Sequence, residues 1–222
     1  MGAGGLLAEI TSRPQPREGA STAPHAPRIA AVVLAAGRSI RMGANKLLAD
    51  LNGRPLLAAT VGQIKASGIN DIVVVTGHQT GEVQTALAQA KVKFTHNPAY
   101  AEGLATSIRA GIAAVKDYDA AFICLGDMPL IRFADLQRMI AAFNVEEGRS
   151  IIAPAQGRKL GNPVLWGQEH FNALMSLDGD RGARSLLEAM RDEIVEVAVD
   201  HDGIMRDADT PEALAAIRKL SG

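Results

Sequence analysis

The sequence of 222 residues contains one cysteine, Cys124, which excludes an internal disulfide and fits a reducing compartment. Aromatic residues are scarce as well, at 4%, so the core that a 47% apolar composition can build must be filled by aliphatic side chains. Charge of one sign is also missing. The formal net charge is -1, so no global basic field attracts nucleic acid, and any chemistry on anions has to be local. No apolar run reaches the roughly 20 residues that a membrane helix requires, and the early "GLLAEI" is too short for a signal-peptide core. The expectation is a cytoplasmic protein that engages neither nucleic acid nor membrane.

Residues 1–28 are rich in Pro, Gly, Ser, Thr and Ala without sustained periodicity, and read as a flexible tail. The character changes at Ile29. "IAAVVLAA" is a continuous apolar run, as expected of a strand buried on both faces of a parallel sheet. Further strands are expected at 71–77, 92–96, 120–126, 150–155, 162–166 and 193–199. Helical patterns lie at 56–67, 80–90, 104–116, 133–144, 183–191 and 211–220. This alternation predicts a Rossmann-like three-layer α/β/α architecture with a mostly parallel sheet, in a single domain over 29–222. The closer strands after 150 predict an antiparallel segment in the second half.

In such sheets ligands bind outside the carboxyl ends of the strands. After the first strand comes "LAAGRSIRMGANK" (34–46), a glycine-containing loop with two arginines and a lysine. Its spacing matches neither a P-loop nor a dinucleotide fingerprint. Its backbone N–H groups and cations nevertheless suit polyphosphate better than an idle solvated turn. "FICLGDMPL" places Asp127 directly after another apolar run, where a carboxylate either holds a hard divalent cation or caps the next helix. Near the C-terminus, "RDADTPEAL" puts Asp207 and Asp209 on one side of an extended segment, ahead of Thr210 as N-cap and Pro211 as first helical residue. One of these two aspartates is positioned by pattern to reach the same cation as Asp127. Cys124, inside an apolar run without a basic neighbour, reads as a core residue rather than a nucleophile.

Taken together, "LAAGRSIRMGANKLL", "VVTGH", "HNPAYAEGLATSIRAG", "LGDMP", "GNPVL", "GDRGARSLL" and "DADTPEAL" resemble the MobA-like nucleotidyltransferases, closest to the molybdenum cofactor cytidylyltransferase (MocA-type) branch. The resemblance runs from about residue 29 to the C-terminus. It implies transfer of CMP from CTP to the terminal phosphate of a molybdopterin-type cofactor, with release of pyrophosphate and Mg2+ as cofactor. It also leaves a molybdenum hydroxylase apoenzyme open as a partner. Carried over residue by residue, Arg41, Lys46 and Asp127 are implied as catalytic, and Asp127 and Asp209 as metal ligands. Leu34, Ala35, Ala36, Gly37, Arg41, Lys46, Thr76, Asn97 and Ser107 are implied at the nucleotide. Arg181, Gly182 and Arg184, at the start of an expected helix, are candidates for the acceptor. Guanylyl-transferring relatives carry "LAGG" where this chain has Ala36, which points to a pyrimidine. A GTP or UTP donor, another phosphate monoester as acceptor, and a non-catalytic cofactor-delivery chaperone remain open readings.

Overall fold

The computed structural model describes residues 26–39, 45–180 and 182–221. Seven strands lie side by side in one sheet: β1 (Ile29–Ala35), β4 (Asp71–Thr76), β5 (Lys93–His96), β6 (Ala120–Leu125), β7 (Ile151–Gln156), β9 (Val164–Gly167) and β10 (Ile194–Ala198). Their order is β10-β7-β9-β6-β1-β4-β5, and the short β8 (Lys159–Leu160) hangs on β7. A separate two-stranded hairpin, β2 (Asp50–Leu51) with β3 (Arg54–Pro55), follows the first loop. All neighbours in the main sheet are parallel except β9, which runs antiparallel to both β6 and β7, and β8, which pairs antiparallel with β7. The expected mostly parallel sheet is present, with its antiparallel member in the second half.

β1 shows why the run is continuously apolar. Ala31, Val33 and Ala35 face one layer, formed with α1 (Leu56–Ala66), α2 (Thr80–Ala86), α4 (Phe133–Ala142) and α7 (Pro211–Leu220). Ala30, Val32 and Leu34 face the other, formed with α3 (Leu104–Ala114) and α5 (Phe171–Met175) and flanked by α6 (Arg184–Ala189). A strand covered on both sides gains burial from every residue, so alternation disappears. The core is aliphatic, with Phe122 and Trp166 as its largest wholly buried side chains.

The topology itself selects a place for a ligand. From β1 the chain moves outward to β4 and β5, then returns to place β6 on the other side of β1. The crevice between the carboxyl ends of β1 and β6 is therefore the topological switch point. It is narrow: Gly126 N–H donates to Leu34 O at 3.1 Å, and a Cβ on Gly126 would stand 2.9 Å from that same oxygen. Boundaries differ from the sequence expectation mainly at helix ends. α2 stops at Ala86, where 80–90 was expected, and α4 at Ala142, where 133–144 was expected.

Candidate active site

The switch point opens into a cleft of about 630 Å³. Its floor is the end of β1, with Leu34, Ala36, Gly37, Arg38 and Ser39, and the end of β6, with Leu125 and Asp127. Lys46, Asp207 and Asp209 close one side, and Tyr100, Gly103, Leu104, Ser107 and Asp180 line the other. Space is left where a ligand would need it, since a Cβ on Gly37 would meet nothing within 4 Å.

Lys46 opens a short 3-10 turn, Lys46–Leu48, whose backbone is fixed three ways. Asn45 caps it by accepting from Leu47 N–H at 3.1 Å, Leu47 is buried, and Lys46 N–H donates to Ser39 Oγ at 3.2 Å. The buried Asn45 Nδ2 has no hydrogen-bond partner among the described residues. The Lys46 ammonium donates to both Asp127 and Asp209. Burial is the largest influence on it and lowers its pKa, but the attraction and hydrogen bonds of the two carboxylates outweigh that and hold it above the ordinary lysine value. Lys46 is therefore a cation throughout the working pH range.

Asp127 does not cap the next helix, because α4 begins at Phe133 with Arg132 in the cap position. Instead its carbonyl accepts from Ala208 N–H at 3.1 Å, which stitches the turn after β6 to the acidic segment. The extended backbone there buries Ala208 and turns Asp207 and Asp209 to one side, as their alternation implied. Asp127, Asp207 and Asp209 bring ligand oxygens within 4.8 Å of one another. An all-oxygen set of this kind fits a hard divalent cation. Thr210 accepts from Ala213 N–H at 3.2 Å as the N-cap of α7, with Pro211 in its first turn.

The structure thus brings Leu34, Ala36, Gly37, Lys46, Ser107, Asp127 and Asp209 to one cleft. It places three expected nucleotide residues behind the wall. Ala35 is buried in the sheet, and Thr76 is 1% exposed with its hydroxyl directed to Thr95 O at 3.4 Å. Asn97 uses its whole amide inside the protein: Nδ2 donates to Thr106 Oγ1 at 2.8 Å and Ser107 Oγ at 3.0 Å, and Oδ1 accepts from Ala99 N–H. Asn97 thereby shapes the cleft by bracing the 97–107 turn. Arg41 and Arg181 lie outside the described residues.

Tyr100 and Asp180 were not singled out from sequence. Tyr100 packs so tightly on the turn after β4 that a Cβ on Gly77 would come within 2.6 Å of it, and the Arg38 guanidinium lies 5.5 Å from its ring centre. Asp180 is carried in by the 177–180 segment, which α3 holds in place. Arg109 donates to Leu177 O and Asp178, both at 2.9 Å, and Ala105 N–H donates to Gly179 O at 3.1 Å. The one local clue was glycine: Gly77 and Gly103 both sit where a side chain would collide with these partners.

A second pocket of about 310 Å³ adjoins the cleft and shares Leu34, Leu104 and Leu125 with it. Ile108, Ile123, Leu160, Val164, Trp166 and Leu187 make its lining mostly apolar, and Arg184, Glu188 and Arg191 supply its charged members. Trp166 is wholly buried, and its indole N–H has no partner among the described residues. Of the acceptor candidates, Arg184 lines this pocket. Gly182, at φ +55°, lies beside Leu104 in the wall between pocket and cleft.

Known proteins first define the class. A nucleotidyl transferase from Methanothermobacter thermautotroptrophicus (Mth528) has the same fold, with a TM-score of 0.77 and 28% identity over 87% of this chain and 97% of that one. The family follows from the sequence: residues 31–194 match the MobA-like NTP transferase domain, and the chain belongs to that family. Among curated relatives, the molybdenum cofactor cytidylyltransferase of Escherichia coli K12 is 27% identical, covering 82% of this chain and 91% of that protein. The bifunctional protein GlmU of Syntrophomonas wolfei is 28% identical over 64% of this chain, which spans only 31% of its length. Among the described residues, no helix is long and apolar enough to cross a membrane.

Proposed function

We propose that this nucleotidyltransferase moves CMP from CTP to the terminal phosphate of a molybdopterin-type cofactor, releasing pyrophosphate. The observation that carries the choice of acceptor is the apolar pocket beside the cleft. A sugar phosphate would bury hydroxyls against Ile108, Leu160, Val164 and Leu187 without partners, at a cost of about 1–3 kcal/mol for each unsatisfied group. A flat heterocycle can instead lay its apolar faces against these side chains while Arg184 and Arg191, the cations of the pocket lining, meet its ring heteroatoms. The resemblance to the E. coli cytidylyltransferase over most of both chains supports the same reading.

The chemistry asks little of a general base, because a phosphate monoester is already largely ionised near neutrality. It asks for two anions to be brought together and aligned. The Ala36–Ser39 backbone and the Lys46 ammonium receive the triphosphate, with Arg41 proposed beside them. Asp127, Asp207 and Asp209 would hold Mg2+, which supplies charge neutralisation on the phosphate oxygens when bound. Ala36 adds a methyl group to the floor where guanylyl relatives have glycine, and so favours the smaller pyrimidine. Arg184, with Gly182 and Arg181, takes the acceptor side. Residues 29–222 form the transferase domain in this reading. It acts in the cytoplasm and passes the nucleotide-bearing cofactor to a molybdenum hydroxylase apoenzyme.

The test is pyrophosphate release from CTP, UTP, GTP and ATP at equal Mg2+, with a molybdopterin acceptor and with a sugar 1-phosphate. Release from CTP with the pterin alone is expected. Faster release from GTP, or transfer to the sugar phosphate, overturns the assignment of donor or acceptor respectively.

A further inference from the structure

Lys46 occupies a place that the proposed function also needs for something else. Its ammonium is bonded to Asp127 and Asp209, and these carboxylates, with Asp207, are the convergent oxygens of the cleft. Carboxylate oxygens hold magnesium at about 2.0–2.1 Å, and they accept from an ammonium at about 2.7–2.9 Å. A divalent cation held on these carboxylates would stand close to the ammonium on the same two side chains, and the repulsion between them weakens the hold of Asp127 and Asp209 on Lys46.

We propose that Lys46 is a placeholder: it bridges Asp127 and Asp209 in the nucleotide-free protein and leaves them when they take a divalent cation, its ammonium then turning to the phosphates above Ala36–Ser39. The inference rests on the reading of these aspartates as metal ligands.

The local structure permits such an exchange. The Lys46 backbone is pinned by the Asn45 cap, the buried Leu47 and the bond to Ser39, so only the four-carbon side chain has to rotate. Lys46, Asp127, Asp209 and the Ala36–Ser39 segment all line one cleft, so the swing stays within it. A lysine ammonium in solvent is charged near neutrality, so it leaves as a cation and needs a new anion. A triphosphate supplies that anion. Metal and nucleotide are therefore coupled through Lys46, and each raises the affinity for the other by the same factor. The lysine also offsets the negative charge of Asp127 and Asp209, whose side chains are only 12% and 29% exposed.

The experiment is Mn2+ binding by the full chain without nucleotide, read from the electron paramagnetic resonance signal of free Mn2+. Wild type is compared with Lys46→Met, which keeps side-chain length and loses the charge, and with Lys46→Gln in case the first variant fails to fold; circular dichroism melts check both. We expect the variants to bind Mn2+ at least tenfold more tightly than wild type. A non-hydrolysable CTP analogue should tighten Mn2+ binding by wild type more than by either variant. Equal or weaker binding by the folded variants overturns the exchange. Mn2+ binding that is undetectable in every form, or unchanged in Asp127→Asn, overturns it by removing the metal from these carboxylates. Turnover is not read, and the Mn2+ comparison of wild type with the Lys46 variants contains no nucleotide. Failure of CTP or of the pterin as substrate would therefore fall on the proposed function and leave that comparison to decide the exchange.

Discussion

Replacing Gly126 by alanine should both destabilise the protein and slow it, and the size of each effect can be worked out. Gly126 is the residue between β6 and Asp127. Its φ lies outside the left-handed region, so alanine incurs no backbone strain there and the effect is steric. The new methyl would stand 2.9 Å from Leu34 O, 3.0 Å from Leu57 Cδ1 and 3.4 Å from Leu47 Cδ2. Leu57 and Leu47 can turn their methyl groups a little, although both are buried. The Leu34 carbonyl cannot, because β1 is bonded on both edges, to β4 and to β6. The ends of β1 and β6 must therefore part by a few tenths of an ångström. Alanine also lowers the entropy of the unfolded chain, which favours the fold by about 0.4–1 kcal/mol, while overpacking of this kind costs about 1–3 kcal/mol. The cost wins. At about 2–4 °C per kcal/mol for a chain of this size, the midpoint of thermal unfolding should fall by several degrees. A displacement of about 1 Å at a reacting centre can cost a hundredfold in rate, so a fraction of that at Asp127 should cost roughly tenfold. Gly37→Ala is the control, because its methyl would meet nothing within 4 Å and stability should hold. Thermal melts and pyrophosphate release on both variants decide it. A Gly126→Ala protein that melts at or above the wild-type temperature refutes the close approach of the two strands.

Burial pushes the Cys124 thiol well above its ordinary pKa, so it should resist iodoacetamide in the native protein and react only on unfolding. The raised native pKa means that, above about pH 8.5, the unfolded chain alone loses this proton. Stability should then fall as pH rises, by about 1.4 kcal/mol at pH 9.5, and urea melts of Cys124→Ala against wild type should show that difference removed. His201 accepts from Gly203 N–H through Nδ1 at 3.1 Å and donates from Nε2 to the buried Asp135 at 2.6 Å, which anchors to α4 the turn leading to Asp207 and Asp209. His201→Ala should destabilise by about 1–3 kcal/mol and lower kcat more than it raises KM for the nucleotide. His201→Gln should recover part of the loss; a wild-type kcat in the alanine variant would show that the anchor does not position the aspartates.

What could be read in advance, and what could not, follows from the range over which each contact acts. β1, β4 and β6 announced themselves because a strand covered on both faces gains from every apolar residue, and that signal lies in consecutive positions. Lys46, Asp127 and Asp209 were legible because charged residues at strand and helix boundaries have few bland explanations once several fall at one sheet edge. Lys46 follows β1, so the topology rule sends it to the switch point, whereas Asp209 comes after the edge strand β10 and was reached only through its alternation with Asp207 and the family resemblance. Asn97 and Thr76 show the opposite case. A polar residue just after a strand reads the same whether it faces a ligand or braces its own turn, and only the contacts with Thr106, Ser107 and Thr95 separate the two. Tyr100 and Asp180 enter the cleft through packing against Gly77 and Gly103, contacts that depend on the space a missing side chain leaves. The apolar pocket is a further step removed, because its walls come from α3, β6, β8, β9 and α6. Each of those residues looks like ordinary core in its own segment. Only the gap where those segments meet makes Trp166 and Leu187 candidates for contact with a substrate, so acceptor choice is the part of the function that local sequence pattern conveys least.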